Sequence, residues 1–359
     1  MMTSEKCKQH VDSCRFCWMC HHICPIGNAS GQERNTARTR ALGISLVNRG
    51  AVDLDEIMDN IYECALCGAC VHGCVTGWDP VMFTKETRLA AALEGKLPPY
   101  IAKLVENCLS TGNPYGKTAC DDALAKAKEA HAEKTDTLLF LGSDATYMES
   151  GQAVGAIRVL ERAGVAFTVL ADEPASGAQL DFLIGAAAET KAQMQTCAKA
   201  LDDFSTVIFY DPADAKAVIR TYKEYGVETA AKPVTYTSFV ADLLARGALK
   251  SRQSGRTVAF QDPFQLARDL SETEPAREIV RAFATLSEFY LNRAETVFAG
   301  NILMAQYSPY IRAVAARRIG NARSLGIPAI VTASVSEYAA LKSAAAQIEI
   351  LSLEDLILG

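Results

Sequence analysis

A chain of 359 residues has room for about two domains, and 49% apolar against 22% charged residues is the balance of an ordinary globular protein with ample core. A formal charge of −6 argues against a nucleic-acid partner. No stretch approaches the roughly twenty uncharged apolar residues of a membrane span, so there is no expected transmembrane segment and any membrane contact is peripheral or made through a partner. The opening residues show no apolar h-region or cleavage pattern, so a reducing, cytoplasmic setting is expected and disulfides are not.

The first motif along the chain is Cys14-Arg-Phe-Cys17-Trp-Met-Cys20-His-His-Ile-Cys24-Pro25, and its echo follows at Cys64, Cys67, Cys70 and Cys74. Both runs have the spacing C-x2-C-x2-C-x3-C, and together they use eight of the twelve cysteines. Three cysteines at steps of three can wrap round a compact inorganic core. The fourth, one residue further on, points toward a second core. This is the ligand logic of two [4Fe–4S] clusters in which the fourth cysteine of each run ligates the other cluster. The expected sets are Cys14, Cys17, Cys20 and Cys74 for one cluster, and Cys64, Cys67, Cys70 and Cys24 for the other. Structural zinc also takes four thiolates, but it usually shows two separated C-x2-C pairs. The second run departs from the first in having Val75 where Pro25 follows Cys24; proline there shapes a turn but makes no iron bond.

Between and after the runs the signals are helical. Ala41, Leu42, Ser45 and Leu46 share a helical face that closes on Gly50, and Asp53 opens a helix whose first turn is acidic. A further helix is expected over Val81 to Leu97, stopped by Pro98-Pro99. Arg34, Arg38, Arg40 and Arg49 suit either a docking face and donors near cluster sulfurs, or simply a solvated helix face. His21, His22 and His72 are read as neighbours of the sites rather than ligands, because eight cysteines already fill both.

Residues 117–134 shift to Ala, Lys, Glu and Asp, as in an exposed helix or linker. Beyond them, strands are expected at Thr137–Leu141, Phe167–Leu170, Val207–Tyr210, Thr257–Phe260, Thr296–Phe298 and Ala329–Val331, alternating with helices such as Ala153–Ala163. That alternation predicts α/β layers with largely parallel sheets. The segment from Thr137 can be laid beside that from Thr257, and Thr206 onward beside Pro328 onward, which suggests a duplicated unit. Asp211 and Asp262, each before a proline at a strand end, are read as turn caps. No Gly-rich phosphate loop follows a strand, and Gly142-Ser143-Asp144 lacks the form of a nucleophile elbow.

On these cysteine runs and the segment CWMCHHICPIGNASGQERNTARTRALGISLVNRG, the chain resembles the (Fe–S)-binding oxidoreductase subunits of the heterodisulfide reductase C and D types. It is most similar to the iron–sulfur subunits associated with dimethylglycine and amine demethylases. The resemblance implies a helical di-cluster ferredoxin domain over residues 1–115, a linker helix over 116–136, and a duplicated α/β domain of the Cys-Cys-Gly type over 137–359. In catalytic relatives the latter holds a thiol-ligated redox centre. Here the corresponding places read Pro174-Ala175-Ser176-Gly177 and Val297-Phe298-Ala299-Gly300, and the flanking cysteines are also missing. None of these residues replaces a thiolate at an iron–sulfur cluster. Cys7, Cys108, Cys120 and Cys197 stand outside any pattern and are read as structural.

The resemblance thus implies a non-catalytic electron-transfer subunit. It would carry electrons between a flavoprotein dehydrogenase or demethylase, acting on an amine or N-methyl amino acid, and an acceptor such as an electron-transfer flavoprotein or the quinone pool. A heterodisulfide-reductase-like, glycerol-3-phosphate or hydroxy-acid dehydrogenase subunit with its own C-terminal redox site is the alternative, and a zinc-holding module without redox function is the third reading.

Overall fold

A computed structural model describes residues 4–359. Up to residue 136 the described chain holds helices and turns and no strand. The helix Ala37–Asn48 buries Ala37, Arg40, Ala41, Ile44 and Ser45 on one side. The next, Leu54–Tyr62, begins with a capping box: Asp53 receives the Glu56 backbone N–H, and Glu56 Oε1 accepts the Asp53 N–H at 2.9 Å. Such reciprocal caps satisfy two of the donors that every helix start leaves open. The helix expected over Val81 to Leu97 runs instead over Pro80–Leu93. Pro98 and Pro99 do not simply stop it; Pro99 opens a further helix, Pro99–Thr111. A proline in the first turn gives up an N–H that would have had no partner there, so the same residue type that ends one helix can start the next.

The remainder is built on two parallel sheets. In the first, β1 (Thr137–Phe140), β2 (Thr206–Phe209) and β3 (Lys232–Thr235) lie in that order, with Leu138 also bridged in parallel to Thr168 at the other side. In the second the order is β5 (Thr285–Leu286), β4 (Thr257–Gln261), β6 (Ala329–Thr332), β7 (Glu349–Ser352). With the Thr168 bridge counted as a strand position, both sheets run second, first, third, fourth. The central strands are buried along nearly their whole length, as sheets covered by helices on both faces require.

Two expected strands do not form as such. The Phe167–Leu170 run contributes only its single bridge. Thr296–Phe298 pairs with no strand, because side chains take its carbonyls: Arg268 Nη1 donates to Thr296 O at 2.7 Å and Gln261 Nε2 to Val297 O at 3.0 Å. The position falls to β5, which carries only two residues.

The helical part does not stand apart from the sheets. Met58, Ile61, Phe83, Ile101 and Leu104 share one core with Leu180, Leu183 and Ile184 of the helix Ala178–Ile184. Arg88, fully buried, closes this seam. It donates to Phe182 O at 2.6 Å, Ile61 O at 3.0 Å and Cys64 O at 2.6 Å, between the rings of Tyr62 and Phe182. Hydrogen bonds from a charged donor contribute roughly 1.5–3 kcal/mol each, so this one side chain is a major tie between the two parts. The helix Asp122–Ala130 likewise buries Leu124 in a core that runs through both sheets.

Candidate metal centre

The two cysteine runs fold alike. Cys14 and Cys17 lie on a loop before the short helix Met19–Ile23, which carries Cys20; Cys64 and Cys67 lie on a loop before Ala69–His72, which carries Cys70. In the first loop Phe16 and Trp18 have φ of 58° and 67°, and in the second Leu66 and Gly68 have φ of 51° and 71°. These are matching positions, just before and just after the second cysteine. Left-handed backbone at a bulky residue costs about 1–3 kcal/mol and persists where the surroundings demand it. The same left-handed bend thus recurs at both loops, at Phe16 and Trp18 in the first and at Leu66 and Gly68 in the second. Cys24 caps the helix Pro25–Ser30, its Sγ receiving the Gly27 N–H at 3.4 Å, with Pro25 in the first turn. Cys74 has no such helix and instead sits 3.3 Å from Thr76 Oγ1.

The thiols divide between two small cavities. One is lined by Cys14, Cys17, Cys20 and Cys74, together with Arg38 and Trp78. The other is lined by Cys24, Cys64, Cys67 and Cys70, together with Arg40. Cys70 also reaches the border of the first, so the two adjoin. The first thus gathers three thiols of its own run with Cys74 and Cys70 of the other, and the second gathers three of the second run with Cys24 of the first. All twelve cysteines are free of disulfides. Among the described residues no three His, Cys, Asp or Glu side chains converge as they would on a single metal ion; the thiols border a volume instead.

Burial pushes the Cys20 and Cys67 thiols up to about 11 and holds Cys70 well above the ordinary range, with neighbouring cysteines adding to the effect. Cys74 goes the other way: its slight burial opposes ionisation, but Thr76 and the backbone N–H groups of Trp78 and Gly77 outweigh it. Thiols crowded in this way lose their protons when a cation compensates the charge, which is how metal binding couples to proton release.

Two arginines complete the picture. Arg40 is 2% exposed; its Nε donates to Asn60 O at 2.9 Å, while Nη2 has no hydrogen-bond partner. Cys24, Cys64 and Cys70 are the groups that surround it. Arg38 packs against the rings of Phe16 and Trp18, 4.0 and 4.7 Å from their centroids, and its Nη1 is also unpartnered. Each leaves one buried guanidinium nitrogen without a partner, which carries an unmet desolvation cost, and a negatively charged inorganic core held by thiolates would satisfy both atoms. The residues present thus fit iron–sulfur clusters. The reading of these arginines as a solvated face holds for Arg34, paired with Glu63, and Arg49, paired with Asp12, and fails for Arg40. Arginines spread along one helical stretch cannot all face water. His21 and His22 line neither cavity, and His72 meets Glu295 at 2.9 Å.

At the carboxyl ends of the sheets, where the sequence lacks thiols, the structure gathers acids. Asp144, Asp211 and Asp214 are buried close together, after β1 and β2. Asp144 accepts from Tyr115 Oη at 2.5 Å, Ser336 Oγ at 2.6 Å and Gln179 Nε2 at 3.1 Å. Asp214 pairs with Ser176, in the first degenerate motif. Asp211 does cap its turn, accepting from the Ala213 N–H at 2.7 Å. Asp262 does not act mainly as a cap: it forms a buried ion pair with Arg277, at 2.5 and 2.8 Å. The acid cluster escaped sequence reasoning, although Asp211-Pro-Ala-Asp214 directly after a strand was its visible trace.

Burial, with Asp144 and Glu173 nearby, raises Asp214 to about 7, and burial raises Glu337 to about 8. Unfolded, both titrate near 4. Between those values the folded chain holds more protons than the unfolded one, so stability is fully present on the acid side and is lost as pH rises through the folded values. Denaturant unfolding followed by circular dichroism should therefore give a lower unfolding free energy at pH 8 than at pH 5, by roughly 6 kcal/mol. Asp214→Asn should flatten that slope; an unchanged slope would remove Asp214 as its source.

Residues 10–78 match the family model of a 4Fe-4S dicluster domain. Over 299 residues, 75% of this chain and 72% of the relative, the sequence is 25% identical to the D-type subunit of the dihydromethanophenazine:CoB–CoM heterodisulfide reductase of Methanosarcina acetivorans. It is 24% identical, over 307 residues and the same shares, to the corresponding D-type subunit of Methanosarcina mazei.

Proposed function

We propose that this iron–sulfur subunit, related to the D-type subunits of heterodisulfide reductase, holds one [4Fe–4S] cluster on Cys14, Cys17, Cys20 and Cys74 and a second on Cys64, Cys67, Cys70 and Cys24. The observation that carries the reading is that Cys74 borders the cavity lined by the first run and Cys24 the cavity lined by the second, with Cys70 at the border of both. Two such clusters supply one-electron storage at neighbouring points.

The protein's own part is to hold, shield and dock. Arg40 and Arg38 offer positive charge at the two sites. Phe16, Trp18 and Met19, at 61%, 44% and 47% exposure, form the outer rim of the Cys14–Cys20 loop, where a protein partner comes within reach. A flavoprotein dehydrogenase or demethylase acting on an amine or N-methyl amino acid is the donor this reading favours, on the resemblance of the first cysteine segment. An electron-transfer flavoprotein or the quinone pool is the acceptor. Among the described residues no helix is long and apolar enough to cross a membrane, so quinone would be reached through a partner or at a membrane surface.

The α/β part is read as a duplicated unit of the Cys-Cys-Gly type that has lost its thiols. The shared strand order supports the duplication, and Cys197 is its one remaining cysteine. The relatives are named as reductases of a heterodisulfide; here buried acids stand where such chemistry would need thiolates.

Anaerobic purification followed by iron and acid-labile sulfide analysis tests the reading. About eight of each per chain, with two interacting paramagnetic centres after reduction, is the expected result. Zinc without sulfide would overturn it. Identifying the flavoprotein that co-purifies from the native host tests the donor.

A further inference from the structure

Three guanidiniums, each from a different element, meet at the second cysteine loop. Arg88 donates to Cys64 O at 2.6 Å. Arg268, on the short helical turn Gln265–Asp269 of the α/β part, donates from Nε to Cys67 O at 2.8 Å. Arg40 lies among Cys24, Cys64 and Cys70. Every oxygen that accepts from these side chains is a backbone carbonyl, and among the described residues no carboxylate pairs with them. The acids close by are engaged elsewhere: Glu63 with Arg34 at 3.2 Å, Asp269 with Arg220 at 4.0 Å and Glu295 with His72 at 2.9 Å.

The first cysteine site is not furnished in this way. Its cations are Arg38, half-exposed against Phe16 and Trp18, and Arg15, which is exposed, so solvent screens both. Arg268 differs from the other two arginines of the second site in coming from the far part of the chain. Its Nη1 donates to Ala294 O at 3.0 Å and Thr296 O at 2.7 Å, so one fork joins the Cys67 loop to the segment directly before Val297-Phe298-Ala299-Gly300. A methyl on Gly68 would stand 3.8 Å from Nε, which places the guanidinium against the backbone on both sides of that peptide. The Gln265–Asp269 turn is of the wide, π type, a form that often occurs where a helix must re-aim a functional side chain.

We propose that Arg268 is a positioning residue for the second cysteine site: it fixes the Cys67 loop to the α/β part and, with Arg40 and Arg88, supplies the positive charge that makes this the higher-potential site of the two. Reduction makes an iron–sulfur centre more negative, so uncompensated cations beside it favour the reduced form. The inference rests on the two-cluster reading above. An electron delivered by the flavoprotein donor at the exposed rim of the first site then passes to the second, the first centre being oxidised as the second is reduced; no bond forms or breaks. The α/β part, without thiols of its own, acts on the redox chemistry through this one side chain.

A redox titration of the anaerobically purified protein with dithionite, followed by electron paramagnetic resonance, tests it. In wild type one unsplit signal should saturate before the splitting between the two centres appears. Arg268→Gln should make reduction of the centre that fills first about tenfold less favourable, which for one electron is about 59 mV. Arg268→Lys keeps the charge and should recover most of the shift. The shift should persist in a Cys74→Ala background, which retains the second centre, and be absent in a Cys24→Ala background, which retains the first. A glutamine variant that loses the second centre while the lysine variant keeps it near the wild-type potential supports the same role. Loss in both variants, equal shifts in both, a shift confined to the Cys24→Ala background, or no shift at all with both clusters intact would overturn the inference alone. Protein that holds no iron would overturn the two-cluster reading and the inference together.

Discussion

Replacing Cys74 by alanine is expected to destroy the cluster assigned to Cys14, Cys17 and Cys20, although none of those three residues lies in the mutated run. Iron content should fall by roughly half, and the interaction between the two paramagnetic centres should vanish, leaving one unsplit signal. The expectation follows from which thiols share a cavity: Cys74 borders the one lined by the first run, while Cys64 and Cys67 border the other. Cys74 is the better probe of the pair because it caps no helix. Cys24 also starts Pro25–Ser30, its Sγ accepting the Gly27 N–H at 3.4 Å, so its loss has a structural cost as well. Cys24→Ala should remove the Cys64/Cys67/Cys70 centre. If either variant loses only the centre of its own run, the crossed assignment is wrong.

Arg40→Gln should lower the potential of that second centre. One unit charge about 6 Å away in a medium of effective dielectric near 20 is worth roughly 3 kcal/mol, which for a one-electron couple is roughly 100 mV. The sign follows from charge: a cation favours the reduced, more negative cluster, and its removal favours the oxidised one. Arg40→Lys keeps the charge and should recover much of the shift, whereas a purely structural role would not distinguish Lys from Gln in this way. Arg38 is half-exposed, so solvent screens it and Arg38→Gln should move the first potential by less. An electron paramagnetic resonance redox titration of the three variants measures all of this. Equal potentials in Arg40→Gln and wild type would dismiss the electrostatic role.

The cysteine runs were legible because cluster ligation imposes a spacing that little else requires. The capping box at Asp53 and Glu56 was half visible, since its acidic first turn is local chemistry. The strands β1, β2, β4 and β6 were legible as buried apolar runs. What escaped depends on distant contacts. The edge strand β3 reads Lys-Pro-Val-Thr and carries no apolar alternation, so only its pairing with β2 identifies it. The Thr296–Phe298 segment has a strand's composition, but Gln261 and Arg268 claim its carbonyls from elsewhere in the chain. Arg40 looked like its neighbours Arg34 and Arg38 until the helix direction showed which one turns inward. Asp144, Asp211 and Asp214 looked like ordinary turn residues, and only the fold buries them close together.

The seam closed by Arg88 bears on how turnover is timed. A carrier tethered by a hinge waits for a swing before each transfer, and its rate then follows solvent viscosity and linker length. Here Arg88 holds the carbonyl of Cys64 itself, together with those of Ile61 and Phe182, so one ligand loop is anchored to the α/β core by the same guanidinium that joins the two parts. The second cysteine loop is thereby tied to the α/β core at Cys64. On the electron-transfer reading, collision with a partner and the difference in driving force, rather than an internal motion, would pace the flow.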